Sequence, residues 1–155
     1  MSTKKETKLQ VEAIEQGSVI DHISPQQGIK ILKFFKFTKA NEKITVGLNL
    51  STKSGATKDL IKIENVFISD TQANQLALFA PNATINQIKD FAVVNKFQVQ
   101  LPSSFVGVFV CPNSNCISHN EPVSSRFYVN QRTTLKLKCH YCEKSFNRSF
   151  FSELD

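Results

Sequence analysis

All four cysteines of this 155-residue chain lie near its carboxyl end, in two short pairs. Four residues separate Cys111 from Cys116, two separate Cys139 from Cys142, and twenty-two lie between the pairs. Each pair can bring two thiolates to one tetrahedral ion from a single turn, and the long gap leaves room for a hairpin. The spacing predicts one structural Zn²⁺ ion held by four cysteines. The alternatives are four unrelated buried thiols or two disulfides, and disulfides require an oxidising compartment that nothing else in the sequence indicates.

A zinc ion held by four cysteines has no open coordination position, whereas a catalytic zinc keeps one. His119 and His140 are close enough in sequence to the cysteines to replace a ligand, and this stays an alternative here. The sequence has no glycine-rich phosphate loop and no His-Glu-x-x-His motif. Asp21 and His22 resemble half of a catalytic pair, but adjacent strand residues face opposite ways. We therefore expect no enzyme.

The formal charge of +6 is spread along the chain. Residues 1–100 carry 13 basic and 9 acidic residues, and residues 101–155 carry 6 and 4. A diffuse excess is weak support for a nucleic-acid partner and is equally compatible with nucleotide phosphates. Residues 1–8 lack an apolar signal core, and no apolar run in the sequence is long enough to span a bilayer. The polar terminus and the hydropathy predict a cytoplasmic protein without a membrane partner. We expect no nucleic-acid partner either, although the charge alone leaves one open.

The hydrophobic pattern of residues 1–100 predicts an α+β fold, with strands and helices in the order βαββαβ and one extra strand at the end. Strands are predicted at residues 9–14, 43–50, 58–64, 84–89 and 91–99. Gly17 and Ser18 are expected to interrupt the chain before a short apolar stretch at 19–23. This order is that of a ferredoxin-like domain, in which two helices cover one sheet face.

Two serines carry the signals for helix starts. Ser24 precedes Pro25 and Gln27, which predicts a helix with a serine N-cap and a proline in its first turn. Ser69 and Gln72 form the second such pattern, a capping box. Its helix is expected to bury the apolar residues of one face, namely Ala73, Leu76, Ala77 and Ala80.

A second domain is predicted from residue 101 to residue 155, after a linker at 101–104. Its strands are expected at residues 105–110, 126–129, 135–137 and 146–151. An all-β segment of this length is marginal for a core of its own, and such domains often depend on a metal. The sequence therefore predicts an α+β domain at 1–100 and a small all-β zinc domain at 101–155.

Alternation along the strands predicts which side chains share a face. Ile61 and Ile63 are expected to point toward the helices. Two triplets then share the uncovered sides of their strands: Lys58, Leu60, Lys62 and Thr84, Asn86, Ile88. On one sheet face they would form a patch of cations, amide, hydroxyl and aliphatic groups suited to a nucleotide. An ordinary solvated sheet face is the alternative, and periodicity alone does not decide between them.

Four sequence blocks carry a resemblance to a known family. They are Leu-Gln-Val-Glu-Ala-Ile at 9–14, Val-Ile-Asp-His-Ile at 19–23, Lys-Asp-Leu-Ile-Lys-Ile-Glu-Asn at 58–65 and Cys-Pro-Asn-Ser-Asn-Cys at 111–116. With them the chain closely resembles the regulatory chain of bacterial aspartate carbamoyltransferase. The resemblance implies a non-catalytic subunit in pyrimidine biosynthesis that binds CTP, often with UTP, as inhibitor and ATP as activator. It also implies that domain 1–100 pairs with its copy and that the zinc domain docks on the catalytic chain.

The resemblance also implies an effector site. Its residues would be Val11, Glu12, Ala13, Ile14, Asp21, His22, Lys58, Leu60, Lys62, Thr84, Asn86, Ile88, Val93 and Lys96. Lys96 and His22 are expected near the phosphates and Lys62 near the ribose and base. Asp21 is expected to orient Lys62 or the ribose side.

The catalytic chain is expected to contact residues around the two cysteine pairs, namely Asn113, Asn115, Tyr141, Glu143 and Lys144. Turn formation around the metal is the alternative role for the asparagines. The chain departs from the family pattern at Phe91, where a tyrosine is expected, and at the short segment 130–134. A nucleic-acid-binding zinc ribbon and a small metalloenzyme remain the competing classes.

Overall fold

The computed structural model describes residues 13–35, 41–131 and 134–151, and within them the chain forms two antiparallel sheets. The strands are β1 (Gly17–Ile23), β2 (Ile44–Ser51), β3 (Thr57–Glu64), β4 (Thr84–Lys89), β5 (Ala92–Gln98), β6 (Ser104–Val106), β7 (Arg126–Asn130), β8 (Lys136–Cys139) and β9 (Ser145–Asn147). Helices α1 (Gly28–Phe34) and α2 (Asp70–Leu76) follow β1 and β3. The sheet orders are β2-β3-β1-β4-β5 and β6-β7-β8-β9. This confirms the predicted ferredoxin-like fold with an extra strand, followed by a small all-β domain.

The first strand begins at Gly17, so Gly17 and Ser18 do not interrupt the chain as predicted. Gly17 has φ +139, and a Cβ there would collide with the carbonyl oxygen of Ile63 on β3. Ser18 is fully buried, and its hydroxyl donates to Val66 O at 2.7 Å and accepts from Ile68 N at 2.9 Å. Residues 9–12 of the predicted first strand lie outside the described residues, and residues 13 and 14 are not in a strand.

Helix α1 begins later than its sequence signal predicts. Its N-cap is Gln27, without a side-chain cap, because Gln26 at φ +73 breaks the helical path after Ser24 and Pro25. Gly28 N donates instead to Asp59 Oδ2 at 2.9 Å, so a carboxylate from β3 caps the helix. The predicted serine cap is therefore wrong.

Helix α2 has the predicted capping box. The Ser69 hydroxyl accepts from Gln72 N at 3.3 Å, and Gln72 Oε1 accepts from Ser69 N at 3.1 Å. The helix ends at Leu76, and turns follow it, so Ala77 and Ala80 lie beyond the helix. The four residues expected on its inner face are all buried: Ala73, Leu76, Ala77 and Ala80.

One apolar core extends through both sheets. Ile61 and Ile63 are fully buried against the helix side of the first sheet, as alternation predicts. The same cluster continues through Phe109 and Phe151 in the carboxyl-terminal part of the chain. The Phe34 ring of α1 stacks on Phe109 with centroids 5.1 Å apart. The small second sheet therefore shares a core with the first instead of building one alone.

Two of the carboxyl-terminal strands, β6 and β9, are shorter than predicted. Strand β6 ends at Val106 because Gly107 adopts φ +70, and this turn directs Phe109 into the core. Strand β9 is followed by a 3₁₀ helix at Arg148–Phe151 that places Phe151 in the core. Within the described residues, no helix is long and apolar enough to cross a membrane.

Candidate ligand site and metal centre

The four cysteine thiols converge on one point. All four sulfur atoms lie within 4.8 Å of one another, with Cys111 to Cys142 at 3.8 Å and Cys116 to Cys139 at 3.7 Å. A tetrahedral ion with Zn–S bonds of about 2.3 Å has sulfur–sulfur edges of about 3.8 Å. The thiols are free, and these distances are too long for disulfides. The donor set fits a tetrahedral Zn²⁺, as the cysteine spacing predicts.

Electrostatics at the thiols also favours a cation. Burial raises the pKa of Cys111 and Cys139 above the ordinary value of 9.0, and neighbouring thiols add to the rise. Burial acts in the same direction on Cys116, but hydrogen bonds from Ser118, whose hydroxyl lies 3.1 Å from the sulfur, lower the pKa of this thiol to about 6. A divalent ion would supply the positive charge that lets all four thiols ionise together.

Neither nearby histidine joins the sulfur cluster. His119 Nε2 lies 2.9 Å from Asn113 O, and His140 Nδ1 lies 2.7 Å from the Tyr128 hydroxyl. Both rings are therefore held by other partners. The alternative that a histidine replaces a cysteine ligand is wrong for the described residues.

The turns around the metal centre are built by some of the predicted contact residues. Asn113 Oδ1 accepts from Asn115 N at 3.1 Å, and Asn113 O accepts from Cys116 N at 3.0 Å. The Tyr141 hydroxyl donates to Ser124 O at 2.7 Å. Asn113 and Tyr141 thus hold the loops, whereas the side chain of Asn115 is exposed. Glu143 and Lys144 are exposed as well.

On the first sheet, the face opposite the helices, here named the open face, carries the two predicted triplets. One row crosses β3, β1, β4 and β5, each residue opposite the next: Lys62, Val19, Asn86 and Lys96. Directly opposite residues share a face, so the row places two lysines and an amide on one side of the sheet. Lys62 is 8% exposed, and Lys96 is exposed.

An apolar cluster separate from the main core forms the floor of the open face. Its members are Ile14, Val19, Leu60 and Ile88, with Leu50 packed beside them. Ile14 thus reaches the site although it precedes β1. Ligand sites are usually lined by apolar groups with a few polar ones, so an aliphatic floor beside cations and an amide suits a small organic anion.

One end of the open face carries a charged network. Lys58 Nζ contacts Asp21 Oδ1 at 2.8 Å, so Asp21 orients Lys58. His22 Nδ1 lies 3.0 Å from Thr84 Oγ1. Burial raises the pKa of Asp21, but the hydrogen bond from Lys58, the backbone hydrogen bond from His22 and the nearby charges outweigh it and lower that pKa below 3.8.

Asp21 and His22 do not lie apart, contrary to the argument from strand alternation. The β1–β3 register shifts between Ile20 and Ile23, and His22 has φ +57. This bulge brings His22 Nδ1 to 4.0 Å from Asp21 Oδ2. Both side chains therefore border the same end of the sheet.

A second bulge explains how Val93 and Lys96 can serve one site. Three positions apart, they would face opposite ways on a regular strand. The β4–β5 register shifts between Gln87 and Ile88, so that Val93 lies opposite Ile88 while Lys96 lies opposite Asn86. Both fall on the open face because of the extra residue in β5.

The centre of the open face offers an unused hydrogen-bonding group. Asn86 Oδ1 is buried and has no hydrogen-bond partner within the described part of the chain. A buried polar atom without a partner is costly, and a ligand donor would satisfy it. Asn86 therefore marks a place where a polar ligand would be stabilised.

Some predicted site residues are not brought together here. Val11 and Glu12 lie outside the described residues, and Ala13 is exposed. Phe91, the departure from the family pattern, is 67% exposed at the β4–β5 turn with φ +65. Its N–H donates to Glu15 O at 2.9 Å, which ties the turn to the segment before β1.

Two residues of structural importance to this site were missed in the sequence. Val19 occupies the centre of the open-face row, and alternation with Asp21 could have indicated it. Asp59 is fully buried behind the site, where Oδ2 accepts from Gly28 N at 2.9 Å and Oδ1 from Asn49 N at 2.9 Å. The second of these hydrogen bonds depends on a bulge in β2, where Asn49 has φ +57. No sequence pattern predicts this bulge.

Two family models match the chain in sequence. One, described as aspartate carbamoyltransferase regulatory chain, allosteric domain, matches residues 9–100. The other, described as the metal binding domain of the same regulatory chain, matches residues 103–151. The domains named are regulatory and metal-binding ones, so the chain is not a catalytic subunit.

Curated relatives agree over nearly the whole length. The chain is 75% identical over 148 residues to the aspartate carbamoyltransferase regulatory chain of Psychromonas ingrahamii, covering 96% of this chain and 98% of that protein. It is 60% identical over 154 residues to that of Tolumonas auensis, covering 99% of both. The protein of the same name from Vibrio cholerae is 55% identical over 152 residues, covering 97% and 98%. The chain therefore belongs to the family of aspartate carbamoyltransferase regulatory chains.

Proposed function

We propose that the open face binds CTP and UTP as inhibitors and ATP as a competing activator, so that the chain regulates pyrimidine biosynthesis. The observation that carries this proposal is the row that crosses the sheet from Lys62 through Val19 and Asn86 to Lys96. It combines cations for phosphates, an amide for hydrogen bonding and an aliphatic surface for a ribose or base.

The charges of the site support a division of roles. Lys96 and His22 would contact the phosphates, because both side chains are exposed where they border the open face. Lys62, which is largely buried beside the apolar floor, would lie near the ribose and base. A phosphate would compete with Asp21 for Lys58, whose ion pair is already formed at 2.8 Å.

The chain is proposed to act as two units, an allosteric domain at residues 1–100 and a zinc domain at 101–155 that docks on the catalytic chain. Asn115, Glu143 and Lys144 present exposed side chains beside the metal centre and would form much of this contact. Asn113 and Tyr141 hold the same loops and would fix their shape for the partner. Zinc would act by folding these loops and would take no part in chemistry.

The assembly follows from the family resemblance. The allosteric domain would pair with its copy in a regulatory dimer, and three such dimers would bridge two catalytic trimers in the cytoplasm. In this arrangement the regulatory chain changes the relative stability of two quaternary states. Coupling between effector and catalytic sites is typically ~1–3 kcal/mol and is reciprocal.

A continuous set of contacts could carry that coupling out of the nucleotide site. Asp59 lies between Lys58 and Leu60 on β3, and its carboxylate binds the first amide of α1 at 2.9 Å. The same helix ends at Phe34, whose ring stacks on Phe109. A shift of β3 on nucleotide binding would therefore move α1 and, through it, the zinc domain. Arg148 Nη1 adds a second link, donating to Leu78 O at 3.3 Å.

Gel filtration with a purified catalytic trimer of the same enzyme tests the proposal. We expect a larger complex whose formation depends on zinc and is abolished by a mercurial that removes the metal. Isothermal titration of the complex with CTP, UTP and ATP tests the effector site. Lack of complex formation, or of nucleotide binding by the complex, would refute the corresponding half of the proposal.

A further inference from the structure

A hollow of about 780 Å³ adjoins the charged end of the open face. It is lined by His22, Ile23, Ser24, Pro25, Ser51, Thr52, Lys53, Ser54, Ala56, Thr57, Lys58 and Asn82. Ligand sites commonly occupy about 300–1,000 Å³, so the hollow is large enough for part of a nucleotide. Because His22 and Lys58 belong both to the hollow and to the open face, the two spaces are continuous.

The lining of this hollow suits an anion. It contains two lysines, Lys53 and Lys58, together with His22, and no aspartate or glutamate lines it within the described part of the chain. Lys58 already contacts Asp21 at 2.8 Å. Lys53 therefore adds a positive charge to the hollow besides that of Lys58, which is paired with Asp21.

The loop that carries Lys53 has a defined conformation. Thr52 N donates to Ala56 O at 3.0 Å, and the Thr52 hydroxyl donates to the same oxygen at 2.7 Å. Gly55 N donates to Thr52 O at 3.1 Å, and Gly55 has φ +84. These bonds hold the tip of the β2–β3 hairpin at the rim of the hollow. Lys53 is thus presented from an ordered turn, which lowers the entropic cost of using it for binding.

We infer that the Lys53 side chain binds the terminal phosphate of the effector. The hollow beside the β2–β3 hairpin is then the subsite for the end of the polyphosphate chain. This inference rests on the proposed function, since it needs a nucleotide on the open face. The base and ribose would lie over Val19 and Lys62, and the phosphates would pass His22 and Lys58 toward Lys53. Lys53 then discriminates nucleoside triphosphates from diphosphates and monophosphates.

Isothermal titration of the full-length, zinc-loaded chain with CTP, CDP and CMP tests this assignment. We expect Lys53→Gln to weaken CTP binding about two- to fivefold, the range for an exposed ion pair, and to leave CMP binding unchanged. Raising the salt concentration should weaken CTP binding less in the variant than in the wild type. Lys53→Arg, which keeps the charge, should retain most of the preference for CTP over CMP.

Lys136→Gln is the matched control, because it removes the same charge from an exposed position on β8 of the other sheet. Its CTP affinity should equal that of the wild type. Equal losses of CTP and CMP affinity in Lys53→Gln, or none, would overturn the role of Lys53 while the proposed function stands. Binding of inorganic phosphate to the wild type as tightly as CTP would also overturn the role of Lys53. The hollow would then bind phosphate without needing the rest of the nucleotide. Failure of the wild type to bind CTP at all would instead overturn the proposed function.

Discussion

The ring of Phe34, at the end of α1, stacks on the ring of Phe109 with centroids 5.1 Å apart and an interplanar angle of 29°. The ring centroid of Phe109 in turn lies 4.9 Å from that of Phe151. The contact joins the helix layer of the first sheet to the core beside the metal centre. Because the core is close-packed, a change in the position of α1 would displace the residues that support the cysteine loops.

Substitution of Phe34 is expected to uncouple the effector from the catalytic chain. Phe34→Leu should cost about 1–3 kcal/mol of unfolding free energy, less than truncation to alanine, because it removes the ring contact but keeps an apolar side chain. CTP affinity should stay near the wild-type value, while the CTP-induced change in the activity of the assembled enzyme becomes smaller. Phe150→Leu, at a residue that is 59% exposed, is the control and should leave both quantities unchanged. A full CTP response in Phe34→Leu would contradict the proposed route.

Loss of the buried Asp59 carboxylate should loosen the start of α1. In Asp59→Asn a single amide oxygen replaces two acceptors, so either Gly28 N or Asn49 N loses its partner. Each buried donor left without an acceptor costs about 1–3 kcal/mol. Denaturant unfolding should show this loss, and amide hydrogen exchange should show faster exchange at Gly28 or Asn49. Unchanged protection at both amides would mean that Asp59 does not hold these elements.

His22 should contribute to effector affinity. Its Nδ1 lies 3.0 Å from Thr84 Oγ1 at the charged end of the open face, where the ring can hydrogen-bond to a phosphate. Titration calorimetry should therefore show weaker CTP binding by His22→Ala. The side chain is 54% exposed, so its removal should cost little stability. Unchanged CTP affinity in the variant would remove His22 from phosphate binding.

Asp21 gives a prediction at lower pH. Contacts with Lys58 and His22 outweigh burial and hold the pKa of Asp21 below 3.8 in the folded chain. A group whose pKa is lowered by folding stabilises the folded chain at pH values above its pKa in the unfolded chain. This stabilisation is lost as the pH falls through the pKa of the folded chain. The difference in unfolding free energy between wild type and Asp21→Asn should therefore be largest near neutral pH and shrink below about pH 4. Urea unfolding across this range measures it, and a constant difference would contradict the Asp21–Lys58 pair.

Removal of zinc should detach the regulatory chain and leave the partner active. Structural zinc sites contribute about 10–16 kcal/mol in apparent binding free energy, so Cys142→Ser or a mercurial should unfold the cysteine loops. Gel filtration should then show free catalytic trimers, and their activity should persist without a response to CTP. Catalysis that disappeared together with the metal would indicate a different role for the ion.

Regular periodicity allowed much of this site to be predicted. Alternation on β3 and β4 placed Lys62 and Asn86 on one face correctly, because those strands are straight where they pair with β1. The cysteine spacing predicted the sulfur cluster, because ligand geometry constrains short loops. The capping box at Ser69 was confirmed, since it depends only on residues within four positions of each other.

Predictions failed where long-range contacts override local signals. The serine cap at Ser24 was wrong because Gln26 adopts a left-handed conformation and Asp59, distant in sequence, caps α1. Bulges at His22 and in β5 shift side chains between faces, and they arise from pairing between strands. Gly17 could be placed in a strand only once Ile63 was known to pack against it.

The single core shared by both sheets couples the folding of the metal centre to the folding of the proposed nucleotide site. A molecule that binds the folded chain and not the unfolded one stabilises every part that unfolds with it. Zinc bound at one end should therefore raise the melting temperature of the nucleotide site at the other. By the same linkage, a saturating nucleotide should slow the escape of zinc to a chelator, although the two ligands never touch.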